Sequence, residues 1–214
     1  MNGWAWTALS MFAVWLLTAF GLRTALQVRR TGDSGFRGLS GPPGSASWGA
    51  GVLFVVAILG GIAAPAAALG GLPALLDGPV GLHIAGATLF VAGFAGTLAA
   101  QGGMGSAWRV GVDPDERTDL VTSGVFSLVR NPIFTATIVT SIGLTLVVPN
   151  AIAVSSLLAL IVAIELQVRV SEEPYLEATH GAAYRAYSKK VGRFVPGIGR
   201  LSSKNDCEAE DPPR

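Results

Sequence analysis

The side chains of this chain that could do chemistry lie in three short stretches. They read SAWRVGVDPDERTDL (106–120), LVRNPIF (128–134) and ELQVRVSEEPYLEATHGAAYRAYSKKVGRFVP (165–196). Arginine carries a fork of N–H donors that fits a carboxylate or a phosphate, and a glutamate can hold a cation or take a proton. The second and third stretches therefore predict a site for small charged groups. The acids of the first are interpreted as a solvated loop, and no metal site is predicted there.

The stretch LVRNPIF stands directly before a long uncharged run. Asn131 is a residue type that caps helices and Pro132 is favoured at the first helical position, so a helix is expected to begin here with free backbone N–H groups. Such an end attracts anions, and Arg130 adds a cationic donor beside it. Either this end holds a carboxylate or a phosphate, or Arg130 anchors the helix at the level of the lipid headgroups.

The third stretch places several charges at helical spacing. Glu165 and Arg169 share one face of a helix, and Arg169 and Glu173 are i, i+4 neighbours that can pair. Ser171 is expected to cap a new segment, with Pro174 tolerated in its first turn. The pattern predicts that the last membrane helix ends near this point and that a separate surface helix follows.

Two adjacent glutamates, Glu172 and Glu173, are then expected at the membrane surface. Downstream, Tyr175, Tyr184 and Tyr187 recur at helical spacing, which favours an amphipathic helix lying on the membrane face. A surface helix without a catalytic role explains the periodicity, but it explains the glutamate pair less well.

The elements that must position these groups are membrane helices. Half of the 214 residues are hydrophobic, only 14% are charged, and the mean hydropathy is +0.52. About 20 consecutive apolar residues cross the hydrocarbon core of a bilayer. The predicted fold is all-α, a polytopic membrane protein with about five transmembrane helices, at 3–22, 49–70, 80–101, 132–148 and 151–169. The last two are predicted to form a hairpin about Pro149 and Asn150, followed by the carboxyl-terminal cytoplasmic helix.

The basic residues predict the orientation of these helices. All 15 lysines and arginines lie in the first loop, in the third loop or after the fifth helix. The positive-inside rule therefore predicts a multi-pass protein of the cell membrane with its amino terminus outside and its carboxyl terminus in the cytoplasm. One-sided basic charge suits anionic membrane lipids, and no nucleic-acid motif is evident. The predicted parts are amino-terminal membrane helices (1–104), a catalytic core (105–200) and a disordered tail (201–214).

The apolar helices are mostly interpreted as packing surfaces. The small residues Ala92, Gly96 and Ala100 of the third helix are expected to admit a close neighbour. His83 is expected to be a partnered interfacial histidine and not a metal ligand. The helix at 132–148 is rich in hydroxyls, which predicts either helix–helix hydrogen bonds or the wall of a polar cavity.

Five features in a fixed order resemble a known group of enzymes. VRNPIF, a membrane hairpin, EEPYL, HGAAYRAY and VGRFVP, over roughly residues 105–197, are similar to the isoprenylcysteine carboxyl methyltransferase and phospholipid methyltransferase group of integral membrane enzymes. The resemblance implies methyl transfer from S-adenosyl-L-methionine at the cytoplasmic face. It also implies a lipophilic or lipidated acceptor that enters from the bilayer.

The resemblance also implies roles for particular residues. Arg169 and Glu173 are predicted to be catalytic, with Arg169 orienting a carboxylate acceptor; an amine acceptor would instead need a glutamate to take its proton. The first motif departs from the family's usual Arg-His-Pro-x-Tyr-x-Gly at Asn131, Phe134 and Ala136. The predicted cofactor-binding residues are Arg130, Asn131, Pro132, Phe134, Glu172, Glu173, Tyr184, Tyr187, Arg193 and Pro196.

Two other functions remain open from the sequence. Membrane steroid-type reductases resemble this group in their carboxyl-terminal half, which makes an NADPH-dependent lipid reductase one alternative. A non-catalytic membrane protein that keeps the same fold is the other.

Overall fold

A computed structural model describes residues 2–76, 78–111 and 119–201. Over these residues the chain forms helices and contains no named strand, since the only bridges between extended segments are isolated ones. The predicted all-α class is confirmed. Six helices form the bundle and its surface segment: α1 (Gly3–Thr31), α2 (Ala46–Leu69), α3 (Val80–Met104), α4 (Pro132–Val147), α5 (Ala151–His180) and α6 (Ala182–Lys190).

Four of these helices, α1, α2, α3 and α5, are long and apolar enough to cross a membrane. The fifth apolar helix, α4, has 16 residues, and at 1.5 Å per residue it measures roughly 24 Å, a little less than the hydrocarbon core. The chain is a membrane protein, and α4 and α5 form the predicted hairpin. Asn150 joins them: its Oδ1 accepts from the Ala153 N–H at 2.9 Å, and its Nδ2 donates to the Ala64 carbonyl of α2 at 2.8 Å.

Two helices run further than predicted. α1 continues past residue 22 to Thr31, where Gly32 ends it in the left-handed conformation (φ 75°). α5 continues to His180 through a π-helical stretch at Gln167–Glu172. The expectation of a break near residue 169 is therefore wrong.

The predicted cap at Ser171 is wrong for the same reason. Its hydroxyl lies inside the continuous helix and donates to Ser47 Oγ at 3.0 Å, at the start of α2. Pro174 is the second residue after the π-helical stretch. We attribute the continuity to the wider turn, which leaves room for a proline ring that a regular α-helical turn would crowd.

Glycines bring α3 and α4 into close contact. A Cβ on Gly93 would lie 2.8 Å from the Ala136 carbonyl, and a Cβ on Gly86 would lie 2.8 Å from the Gly143 carbonyl. The predicted row is only partly right: Ala100 is buried, Gly96 faces Ala136, but Ala92 is exposed. The seam follows Gly86, Gly93 and Ala100, because this spacing of seven keeps one face of the helix toward its neighbour.

Three threonines of α4 bond within their own helix, whereas Thr135 also donates to the Phe194 carbonyl of the carboxyl-terminal segment at 2.9 Å. Thr137 donates to the Ile133 carbonyl, Thr140 to that of Ala136 and Thr145 to that of Ser141, at 2.8–2.9 Å. These contacts replace the expected helix–helix bonds. Thr137, Ser141 and Thr145 instead line a mostly apolar cavity together with side chains of α1, α2 and α5.

The bundle has two chemically different ends. At one end, His83 Nδ1 donates to the Val147 carbonyl at 3.0 Å and its ring stacks on Trp4 at 4.9 Å, so the prediction of a partnered histidine is confirmed. At the other end, α1 meets α3 where Arg23 donates to the Gly105 carbonyl. The start of α4 and the ends of α1, α3 and α5 lie at this end, together with the described basic residues.

Candidate functional site

Glu173 is the centre of a charged cluster at the basic end. Its Oε1 accepts from Arg130 Nη2 at 2.6 Å and from Arg193 Nε at 2.7 Å, and its Oε2 accepts from Arg193 Nη2 at 2.8 Å. The three side chains are nearly enclosed, with 12% of Glu173, 2% of Arg130 and 10% of Arg193 exposed. Forked bonds between charged groups in such surroundings are strong and directional. The cluster therefore fixes α5, the start of α4 and the carboxyl-terminal segment to one another.

Arg130 also holds the chain downstream of α6. Its Nη1 donates to the Ser188 and Val191 carbonyls, each at 2.9 Å, and its Nη2 donates to the Gly199 carbonyl at 3.2 Å as well as to Glu173. The terminal nitrogens have thus used their donors. Only Nε, which is buried, has no partner among the described atoms.

The segment after α6 docks against the start of α4 through its backbone. Arg130 N–H donates to the Gly192 carbonyl at 2.8 Å, and Asn131 N–H donates to the Arg193 carbonyl at 3.1 Å. The Asn131 side chain donates to that same carbonyl at 3.2 Å and does not cap α4. The predicted capping role is therefore wrong, because the Asn131 side chain is oriented toward the docked segment and bonds it instead of the helix end.

Gly192 was not singled out in the sequence, yet this docking depends on it. A Cβ there would collide with the Val195 carbonyl and lie 2.7 Å from the Ile198 carbonyl. The signal was available, since this glycine stands inside the VGRFVP motif, between Val191 and Arg193. Its spacing alone did not reveal that the chain turns back on itself at this point.

Two tyrosines of α6 close the cluster from the side. Tyr184 is 1% exposed, and burial, together with the charge of Glu173, raises the pKa of its phenol above the ordinary value. Burial raises the pKa of Tyr187 to about 12, with the Arg130 charge opposing the shift. The Tyr187 hydroxyl stays protonated at neutral pH and donates to the Phe126 carbonyl at 2.6 Å. The hydrogen bonds that Arg193 donates to Glu173 raise the pKa of Arg193, so the cation is retained.

The predicted pair of Arg169 and Glu173 does not form. Arg169 bonds Glu165, four residues earlier, and the two side chains are 57% and 40% exposed. Glu173 bonds Arg130 and Arg193 instead. Arg169 consequently lies on an open surface.

Glu172 stands beside the cluster without a bond from either clustered arginine. The positive charge of Arg109 attracts the Glu172 carboxylate. The Arg109 guanidinium lies 4.8 Å from the centre of the Tyr175 ring. The aromatic contact places the first stretch near the third. Most of the acids of that first stretch fall at 112–118, outside the described residues.

The remaining predicted residues shape this region by packing. Pro132 is buried at the first position of α4. Phe134 packs with Phe194 against a core of Leu160, Ile164 and Val168, and Pro196 is exposed in the turn closed by Ile198 N–H and the Val195 carbonyl. The described residues contain no group of three or more His, Cys, Asp or Glu arranged to hold a metal ion.

An all-helical membrane bundle with an enclosed ionic cluster at one end defines an integral membrane protein with a polar site at one surface. A family model described as phospholipid methyltransferase matches residues 82–183. That segment covers most of α3 and all of α4 and α5, and its similarity to the family confirms the resemblance seen in the motifs. Arg193 and Pro196 lie beyond the matched range. No curated protein matches the chain.

Proposed function

We propose that this protein transfers a methyl group from S-adenosyl-L-methionine to a lipid or isoprenoid-linked acceptor at its basic face. One observation carries the proposal: four separate motifs meet around Glu173, through contacts that join α4, α5, α6 and the carboxyl-terminal segment. The family match supports methyl transfer as the reaction.

The side chains present suit this cofactor. Arg130 Nε is a buried N–H without a partner among the described atoms, and a carboxylate such as that of a methionine moiety would satisfy it. Glu172, which neither clustered arginine bonds, suits an ammonium group or ribose hydroxyls. When bound, S-adenosyl-L-methionine would supply a methyl group on a positively charged sulfur.

The chain's own residues would bind and orient. Glu173 has both oxygens engaged, so it acts as a positioning residue that holds Arg130 and Arg193 in place. Asn131, Pro132, Phe134, Tyr184, Tyr187 and Pro196 would shape the walls of the cofactor site. Methyl transfer is an in-line displacement, and orientation and exclusion of water supply much of its acceleration.

Arg169 is the proposed contact for the acceptor. Its exposed guanidinium can exchange the weak partner Glu165 for a carboxylate that arrives from the bilayer, and so orient it. An amine acceptor would need a proton acceptor, and Glu172 takes that role because Glu173 is held by two guanidinium groups.

Calorimetry with S-adenosylhomocysteine on the purified protein in detergent tests the proposal. We expect saturable binding with one site per chain, and transfer of a labelled methyl group to a lipid extract. Binding of NADPH in preference to S-adenosylhomocysteine would replace the proposal with a membrane reductase. Binding of neither would leave a non-catalytic membrane protein.

A further inference from the structure

The first loop, residues 32–45, lies outside the range that the family model matches, yet it pairs with a segment inside that range. Arg37 N–H donates to the Val110 carbonyl at 2.9 Å, and Val110 N–H donates to the Gly35 carbonyl at 2.8 Å. The two bonds flank Phe36, which forms an isolated parallel bridge with Val110. The first loop therefore fixes the course of the chain just after α3.

Trp108, two residues before Val110, is enclosed between α1 and the first loop. It is 3% exposed, and the Arg23 guanidinium of α1 lies 4.9 Å from its ring centre. A Cβ on Gly35 would lie 3.0 Å from the Trp108 carbonyl oxygen and 3.3 Å from its ring. The Trp108 backbone is extended, and successive side chains of an extended segment point to opposite sides. Arg109 is therefore directed away from α1 and the first loop.

Arg109 contacts α5 on that other side. Its guanidinium lies 4.8 Å from the centre of the Tyr175 ring. Tyr175 comes three residues after Glu172, so the two side chains share one side of the helix, and the Arg109 charge attracts the Glu172 carboxylate. The two adjacent glutamates thus have separate cations, because the clustered arginines bond Glu173.

The groups on α5 itself leave Glu172 in need of a cation. Glu173 repels its charge, and Gln167 supplies a neutral hydrogen bond. Arg169, three residues before Glu172, bonds Glu165. Glu172 is half-buried, and a partly desolvated carboxylate beside a like charge takes up a proton readily when no cation is close.

The other elements around Glu172 point to Arg109 as that cation. Burial raises the pKa of the Tyr184 phenol of α6, so this group stays neutral. Arg193 bonds Glu173, and α2, which packs on the same stretch of α5, has no charged residue. Arg109 supplies the attractive charge from the segment at 108–110.

We propose that Arg109 is the counterion of Glu172 and that the first loop holds this pair together. Arg109 is a positioning residue: it favours the ionised form of Glu172, which can then hold an ammonium group or take a proton from an amine acceptor. What Glu172 binds rests on the proposed function, whereas the pairing does not. The first loop, which the family model leaves out, thereby becomes part of the methyl-transfer site.

Infrared spectroscopy of the full chain in detergent tests the pairing without any ligand. A protonated carboxyl group has a carbonyl band that a carboxylate lacks, so the band reports the ionisation of Glu172 as the pH is varied. Subtracting the spectrum of the same protein with Glu172→Gln assigns the band. In Arg109→Gln its midpoint should lie about one pH unit or more above the wild-type midpoint. Arg109→Lys keeps the charge and should restore most of the shift.

Binding of S-adenosylhomocysteine, measured by calorimetry over the same pH range, connects the pairing to the site. Relative to the wild type, Arg109→Gln should bind more weakly at about pH 7 and approach wild-type affinity at about pH 8.5, because the carboxylate forms again. Glu172→Gln should bind weakly at both pH values. A purely structural role of Arg109 would lower the affinity by the same factor throughout.

Gly35 and Gly38 make a matched pair of variants in the first loop. Both are left-handed, with φ of 73° and 72°, so alanine strains the backbone similarly. A Cβ on Gly35 meets Trp108, whereas a Cβ on Gly38 meets nothing within 4 Å. Gly35→Ala should shift the Glu172 midpoint in the same direction as Arg109→Gln, and Gly38→Ala should leave it at the wild-type value.

Three results separate the possible failures. An unchanged Glu172 midpoint in Arg109→Gln, in a protein that denaturant titration shows to be folded, would overturn the pairing. Equal midpoints in Gly35→Ala and Gly38→Ala would remove the first loop from it. A shifted midpoint in Arg109→Gln without S-adenosylhomocysteine binding by the wild type would support the pairing and overturn the proposed function instead.

Discussion

Glu173 is the shared counterion of two nearly enclosed arginines, Arg130 and Arg193. Removing one partner of a buried ionic group is far more destabilising than the net contribution of the group suggests, because it leaves uncompensated charge. Glu173→Gln keeps the shape of the side chain but removes the charge. We expect it to lower the free energy of unfolding by about 3–5 kcal/mol, measured by denaturant titration in detergent micelles.

Glu165→Gln is the matched control for this prediction. Glu165 makes the same type of bond to Arg169, but the pair is largely exposed, and exposed pairs contribute about 0–1 kcal/mol. If the two variants were equally stable, the enclosure of the Glu173 cluster would not contribute to the fold.

Arg169 is the residue that we predict to orient the methyl acceptor. Its loss should cost little stability, so a loss of activity would report on the reaction itself. We expect Arg169→Gln to lower turnover on a lipid extract roughly 100-fold or more, by analogy with removal of one oriented donor at a reacting centre. The affinity for S-adenosylhomocysteine should be unchanged, because Arg169 lies outside the Arg130–Glu173–Arg193 cluster.

Arg185→Gln serves as the control for Arg169→Gln. Arg185 is 55% exposed and its contact with Glu177 is long, at 3.6 Å. It should retain wild-type turnover. Wild-type turnover in Arg169→Gln would remove the acceptor role, and joint loss of cofactor binding and turnover would move Arg169 into the cofactor site.

Among the elements, the contact between α3 and α4 places the start of α4 beneath the ionic cluster. A Cβ on Gly143 would strike the Phe90 backbone nitrogen and lie 2.6 Å from the Gly86 carbonyl. Because backbone atoms cannot move aside as side chains do, Gly143→Ala must separate the helices. We expect it to lower the free energy of unfolding by about 1–3 kcal/mol, measured by the same titration.

Gly81→Ala is the control for the helix contact. A Cβ there meets nothing within 4 Å, and alanine favours helix more than glycine does. Gly81→Ala should therefore be neutral or slightly stabilising. A neutral Gly143→Ala would mean that the seam can open without cost.

The same elements show how far sequence reasoning reached. α4 was predicted at 132–148 and occupies Pro132–Val147, because a proline marks one end and a proline-asparagine turn marks the other. The end of α5 was misplaced by about eleven residues, at 169 instead of His180. Local signals at Ser171 and Pro174 favour a cap, but the π-helical turn accommodates the proline and Ser171 bonds Ser47 instead of capping a new helix.

The candidate site was predictable in its members but not in its pairing. Glu173, Arg130 and Arg193 were named from motifs, yet helical spacing favoured Arg169 as the partner of Glu173. The actual partners lie 43 and 20 residues away, and no local periodicity reports such distances.

At the scale of the whole molecule, one end of the bundle is basic and the other is nearly without charge. Arg23, Arg130 and Arg193 lie at the first end, whereas the second end joins His83 to Val147 and the Leu75 N–H to the Pro149 carbonyl at 2.7 Å. A polarised bundle of this kind should insert in one orientation, because basic loops are retained in the cytoplasm. The prediction is that the basic end faces the cytoplasm and the amino terminus faces outward.

Two matched substitutions test this orientation in intact cells. Leu39 in the first basic loop and Leu75 between α2 and α3 are 46% and 58% exposed, and each is changed to cysteine after Cys207→Ser. A membrane-impermeant thiol reagent should label Leu75→Cys and should label Leu39→Cys only after permeabilisation. Both variants should be labelled equally in detergent, which controls for reactivity. Labelling of Leu39→Cys alone in intact cells would invert the bundle and place the Glu173 cluster outside, where S-adenosyl-L-methionine from the cytoplasm would not reach it.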